Sequence, residues 1–268
     1  MHNTDNKSTT LFSQTTLTYG PIGVLGRVIL AAEQLCNHAG VRLSIVTPAE
    51  FLGVNQANNK SWKPIVRLFD HRFNDLNTSN SLFIVGRDAS GDVVACQAAR
   101  LFDLTGTTFA EEFASKRIYY SDPESMSEPG EHYKVTSLAA HGTTGRIVFS
   151  GGAWYRHDFR GKGLVGWLPR LARAYARSVW DARVTVTGMT VQNVGKGVFP
   201  RNGYRNMEWG IECTNSDYGH MELAYLWMKE KETIEDLQQF LSSLPDFEGV
   251  AAVGTEKGRY VVRSNAGQ

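Results

Sequence analysis

At 268 residues, 42% of them hydrophobic and 21% charged, the chain has the composition of a globular protein with one large core. A formal net charge of +1 argues against a dedicated nucleic-acid binder, which carries a basic excess. The three cysteines, Cys36, Cys96 and Cys213, lie far apart and form no Cys-x-x-Cys pair, so they supply neither a disulfide framework nor a zinc site and read as buried small residues in a reducing compartment. No apolar run approaches the roughly 18 residues of a membrane span. The polar start from Met1 to Thr10 lacks the pattern of a signal peptide, so the expected location is the cytoplasm, with no metal and no membrane partner.

In chain order, residues 1–19 are rich in Asn, Thr and Ser and read as a mobile tail before a domain that begins near 21. Leu25, Ile29, Ala32 and Cys36 recur at helical spacing between Ile22 and Ala39, with Gly40 placed as a C-terminal cap. Val41 to Val46 alternates as a strand. Thr47-Pro48-Ala49-Glu50 then carries an N-cap, a first-turn proline and a capping acid. Pro64 to Leu76 has the apolar spacing of a second helix. Ser81 to Val85 and Asp92 to Leu104 read as a hairpin across the turn Asp88-Ala89-Ser90-Gly91. Thr105 to Gly145 is rich in loop punctuation and reads as a long inserted loop.

Arg146 to Tyr155 is an apolar, β-branched and aromatic run, and Leu164, Leu168, Leu171 and Tyr175 form one stripe of a helix. Between them stands Phe159-Arg160-Gly161-Lys162-Gly163-Leu164. A strand that feeds a glycine-rich turn opening a helix suits a phosphate, because main-chain N–H groups can close on an anion and the helix start adds a partial positive charge. Arg160 and Lys162 add full charges. Beyond it come a strand from Ala182 to Thr187, a short helix from Asn193 to Asn202 containing Gly195 and Gly197, and strands from Tyr204 to Cys213 and from His220 to Met228. A helix from Thr233 to Leu244 follows, and Tyr260-Val261-Val262 reads as a terminal strand. The organisation expected is one domain over 21–230 with an extension over 231–268 packed on it.

This order of elements, together with two motifs, resembles the GNAT N-acyltransferase superfamily. Tyr155-Arg156-His157-Asp158-Phe159-Arg160-Gly161-Lys162-Gly163-Leu164-Val165-Gly166 is similar to the superfamily's pyrophosphate loop, and Asn193 through Phe199-Pro200-Arg201-Asn202-Gly203-Tyr204 is similar to its helix-to-strand segment. The resemblance implies an α/β fold with a central twisted mixed sheet flanked by helices, and acetyl-CoA or another acyl-CoA as cosubstrate. In such proteins two parallel strands part and the pantetheine arm lies in the gap. The implied cofactor contacts are main-chain groups near Trp154 and Tyr155, the side chains of Arg156, Arg160 and Lys162, and N–H groups from Gly161 through Gly163 and Leu164 to Val165. Asn193 and Phe199 would line the far side. The implied partner is a small-molecule or protein amine, with a homodimer through the last strands.

Three departures from the pattern bear on chemistry. Val165 occupies the last small position of the loop. Pro169 sits inside the following helix, where it removes a hydrogen bond and is expected to kink the axis. Phe199 stands where many relatives carry a tyrosine as general acid. The customary base glutamate is also missing: its place falls near Ser150, beside Gly151 and Gly152, which either open room for an acceptor or mark a bulge. His157, Glu208, Tyr204 and Tyr225 are the other groups able to move a proton, and each has an ordinary structural role available. The catalytic residues are therefore left unassigned, and an acyl-CoA-binding module without chemistry stands beside the enzyme as a second reading.

Overall fold

The computed structural model describes Leu11, residues 15–244 and, for the backbone alone, 253–256 and 259–262. The chain forms α1 (Ile22–His38), β1 (Arg42–Ile45), α2 (Pro48–Ala57), β2 (Ser81–Arg87) and β3 (Val93–Leu104). Then come α3 (Phe109–Ala114), α4 (Pro123–Met126), β4 (His132–Val135), α5 (Leu138–His141) and β5 (Gly145–Tyr155). A single 3-10 turn at His157–Phe159 leads to α6 (Leu164–Val179), β6 (Val184–Thr190), α7 (Val191–Gly195) and α8 (Val198–Arg201). Last are β7 (Asn206–Ser216), β8 (Gly219–Lys229), α9 (Glu230–Ser242), β9 (Val253–Glu256) and β10 (Arg259–Val262).

Eight strands make one mixed sheet in the order β1-β2-β3-β5-β6-β8-β7-β4, the fold class expected from the sequence. β5 and β6 are the parallel pair; their neighbours run antiparallel. One sheet face is packed with rings, among them Phe51, Trp62, Phe69, Phe83, Phe109, Phe149, Trp154 and Tyr225. On the opposite face, Leu164, Leu168 and Leu171 of α6 bury against Ala95, Ala99 and Val148 of the sheet, alongside Ala32 and Cys36 of α1. α9 closes over α1 and α6 through Leu237 and Phe240, against Leu25 and Ala174. All three cysteines are buried. Among the described residues, no helix is long and apolar enough to cross a membrane.

Several expectations change in three dimensions. Leu11 and Leu17 are buried, and the N–H groups of Thr18 and Tyr19 bond to the Ser178 carbonyl, so this part of the expected tail is packed against the core. Pro64 to Leu76 is not a helix and holds only a 3-10 turn at Arg67–Phe69. The reason is local competition for main-chain oxygens: Asn74 Nδ2 donates to the carbonyls of Arg67 and Tyr119, and Arg100 Nη1 takes that of Leu68. The expected loop 105–145 is instead a built insertion, whose strand β4 pairs with β7 and adds the eighth strand at the sheet edge. The expected helix at Asn193–Asn202 is two short ones, parted where Gly197 turns left-handed at φ 65°. α6 runs through Pro169 without interruption. The terminal strand at Tyr260–Val262 forms, paired with β9 in a separate two-stranded sheet.

Candidate acyl-CoA site

β5 and β6 pair through three positions only, Ile147 with Val184, Val148 with Thr185, and Phe149 with Val186. Both strands continue, β5 to Tyr155 and β6 to Thr190, without pairing to each other. Each stays bound to its outer neighbour, β5 to β3 and β6 to β8. The gap is therefore a wedge between two fixed strands, and main-chain groups on its inner edges lack partners in the ladder. The bulge explains how β5 turns away. Its register to β3 slips between Cys96 and Ala98, opposite Gly152, which sits at φ 59°. The glycines do not open room: a Cβ on Gly151 would lie 3.0 Å from the Phe69 ring, and one on Gly152 would lie 2.9 Å from Ala98.

At the mouth of this wedge, between the start of α6 and the α7–α8 pair, is a cavity of about 380 Å³. Its lining includes Ala153, Tyr155, Arg160, Gly161, Leu164 and Val165 from the β5–α6 side. Asn193, Lys196, Arg201 and Asn202 face them from α7 and α8. Arg160, Lys196 and Arg201 are exposed cations, and no carboxylate lines the cavity. Gly161 and Gly163 adopt φ 81° and 92°, which turn the loop so that Gly163 caps α6. Among the described residues, the N–H groups from Gly161 to Val165 meet no main-chain acceptor. Free donors, a helix start and three cations on a concave surface make an arrangement suited to an anion.

Of the residues expected to hold the cofactor, Tyr155, Arg160, Gly161, Leu164, Val165 and Asn193 come together at the cavity. Gly163 caps α6 beside it, and the side chains of the others stand elsewhere. Trp154 is buried on the aromatic face, stacked on Trp62 with centroids 5.6 Å apart, so only its main chain borders the gap. Arg156 is committed to carboxylates, bonding Asp88 and Asp158 at 2.8 Å each, with Asp92 at 3.7 Å. Lys162 places Nζ 3.9 Å from the centre of the Phe159 ring. Phe199 packs with Met189, Tyr204 and Met207 behind the cavity wall. Lys196 and Arg201 were not singled out in the sequence. Lys196 immediately precedes Gly197 at the break and Arg201 follows it by one helical turn, and the glycines Gly195 and Gly197 were the available signal.

The candidate proton-transfer groups are also placed. Glu208 accepts from the N–H of Ala139, the hydroxyl of Ser137 and the N–H of Leu138, capping α5. These bonds, that from Ala139 foremost, hold its carboxyl below the ordinary glutamate range. Tyr225 donates to Thr143 Oγ1 at 2.8 Å, buried on the aromatic face. Ser150, the first β5 residue beyond the paired segment, is buried and its Oγ accepts from Gln97 Nε2 at 3.1 Å. Tyr204 is buried beside it, and burial pushes its phenol up to about 12. His157 is exposed in the turn ahead of the loop. None of the cavity-lining residues is a carboxylic acid or a histidine.

No family model matches the chain, and no curated protein matches it. Solved structures similar to it include Arabidopsis thaliana NAA60 in complex with acetyl-CoA, at 11% identity and a TM-score of 0.45, covering 71% of this chain and 99% of that one. Another is spermidine N-acetyltransferase from Vibrio cholerae in a dodecameric form, at 8% identity and a TM-score of 0.43, covering 72% of this chain and 95% of that one.

Proposed function

We propose that the chain is an acyl-CoA-dependent N-acyltransferase, in its simplest form moving acetyl from acetyl-CoA to a primary amine of a small molecule or a protein. The observation that carries the reading is the parting of β5 and β6 directly beside a cation-lined cavity at the glycine-capped start of α6. The fit is chemical at both ends. An extended arm bearing amides finds unpaired strand edges in the wedge, and a pyrophosphate finds N–H groups, Arg160, Lys196 and Arg201. The thioester supplies an activated carbonyl: the amine nitrogen attacks its carbon, the C–S bond breaks, the thiolate takes up a proton, and the new amide loses one.

What the chain contributes to that step is position. Phe199 has no proton to give, and Ser150 is bound to Gln97. Orientation of two reactants in the wedge lowers the barrier by more than a single proton transfer does, and solvent can serve as the acceptor. The same absences favour a second reading, a binding module that holds acyl-CoA without turnover.

Calorimetry with acetyl-CoA tests the reading, using the native chain and the triple variant Arg160→Glu, Lys196→Glu, Arg201→Glu. Native binding that weakens by more than about a hundredfold in the variant is the expected result, since each lost charge-assisted contact is worth about 1.5–3 kcal/mol before solvent screening. A folded native protein that does not bind acetyl-CoA overturns the assignment. Release of free thiol on adding a panel of primary amines then separates enzyme from module.

A further inference from the structure

One polar cluster at the deep end of the wedge is left unused by the reading above. Arg173, on the third turn of α6, has a side chain with no exposed surface. Its Nη2 donates to Asp236 Oδ2 at 2.9 Å and to the Asn202 carbonyl at 2.7 Å, while Nε and Nη1 meet no acceptor. Tyr204 lies under the same guanidinium, its ring centre 5.3 Å from Arg173 Cζ. Its hydroxyl stands against Arg173 and Ser150 without meeting either at hydrogen-bond geometry. The charges do not balance. Asp236 is the one carboxylate paired with both Arg170 and Arg173 among the described residues, so the buried Arg173 shares its anion with a second, partly exposed guanidinium. Buried cations with open donors are costly unless an anion completes them.

The cluster's place in the fold says where that anion comes from. Ser150 marks the point where β5 leaves β6. Asn202, which accepts from Arg173, also lines the cavity. From Leu164 at the cavity mouth to Arg173, α6 advances about 14 Å along its axis. An arm entering at the loop therefore carries its acyl end toward Arg173. Of the open groups there, two guanidinium nitrogens and a phenol donate and Asn202 Oδ1 accepts, so donors are in excess; a carboxylate is an acceptor-only group with sites for several donors.

Building on the acyl-CoA reading, we propose that the acyl group ends in a carboxylate held by Arg173 and Tyr204, so that the preferred donor is the CoA thioester of a dicarboxylic acid, of the succinyl class. A methyl-ended chain of equal length leaves the donors unpaired, and a site built to bond a polar group rejects the analogue that lacks it.

The test is calorimetry on the full chain with succinyl-CoA, butyryl-CoA and acetyl-CoA. Succinyl-CoA is expected to bind at least about tenfold tighter than butyryl-CoA, which has the same chain length with a methyl in place of the carboxylate. That preference should shrink in Tyr204→Phe, which keeps the ring, and vanish in Arg173→Met. Should Arg173→Met fail to fold, the native preference and Tyr204→Phe decide the matter. Butyryl-CoA binding as well as succinyl-CoA, with acetyl-CoA also bound, overturns the carboxylate pocket and leaves the acyl-CoA reading standing. Failure of all three thioesters to bind overturns both.

Discussion

Gly163 shows how much one residue settles in the loop. It caps α6 at φ 92°, and an added Cβ would fall 2.3 Å from the Trp167 ring. The left-handed backbone alone costs an L residue about 1–2 kcal/mol, and the collision adds to it. Gly163→Ala is therefore expected to lower stability by at least that amount in urea denaturation, and to weaken acyl-CoA binding because the loop must shift. Glu208 gives a prediction of the opposite kind, small and dependent on pH. Its folded carboxyl titrates below the ordinary value of 4.5, because the Ala139 N–H, then Ser137 and Leu138, bond the ionised form. The folded state thus binds fewer protons, so the contribution is present above 4.5 and fades as the pH falls through the lowered folded value. The group is solvated, which limits the effect to below about 1 kcal/mol. Glu208→Ala should be slightly less stable than the native chain at neutral pH, with the difference closing in acid. A constant difference would remove Glu208 from its capping role.

Among the elements, α9 is tied to α6 by polar as well as apolar contacts. Arg170 reaches Asp236 Oδ1 at 2.8 Å, Arg173 reaches Oδ2 at 2.9 Å, and Phe240 lies under Arg170. Removing the shared carboxylate leaves the fully buried Arg173 and the partly exposed Arg170 without an anion. Asp236→Ala is accordingly expected to cost about 3–5 kcal/mol, read as a lower denaturation midpoint. A loss under 1 kcal/mol would mean that the clamp carries little and that Leu237 and Phe240 hold α9 alone. The α7–α8 break is an element-scale device of another sort. With Gly197 left-handed between them, Lys196 and Arg201 both line the cavity.

For the molecule as a whole, the sheet keeps its integrity while one parallel pair comes apart. β5 and β6 each retain their outer ladders, so the wedge is held open by the rest of the sheet. Hydrogen exchange tests this directly. Added acyl-CoA should protect amides within 150–155, 161–165 and 187–190, and leave the β1–β2 and β4–β7 edges unchanged. Protection spread evenly over all eight strands would point to general stabilisation and count against a ligand in the wedge. On the opposite face, the insertion and the residues after α2 complete the core: Phe69 meets Phe149, and Phe109 meets Tyr225. These rings cover the sheet where Gly151 would otherwise leave it bare.

The sequence by itself determined what depends on neighbours along the chain. The loop and its helix, the hairpin, the α2 start at Thr47 and the final helix were legible, because glycine conformation, capping and apolar period act within a few residues. It also determined that Phe199 cannot act as an acid. Tertiary structure decided the rest. Pro64 to Leu76 has helical spacing, yet distant Arg100 and its own Asn74 take the carbonyls that a helix needs. Arg156 looked like a phosphate ligand until the fold brought Asp88 against it. Lys196 and Arg201 became part of a cavity only when α7 and α8 folded back toward the loop. Charge pairing and convergence of this kind are set by distance in space, which residue order does not encode locally.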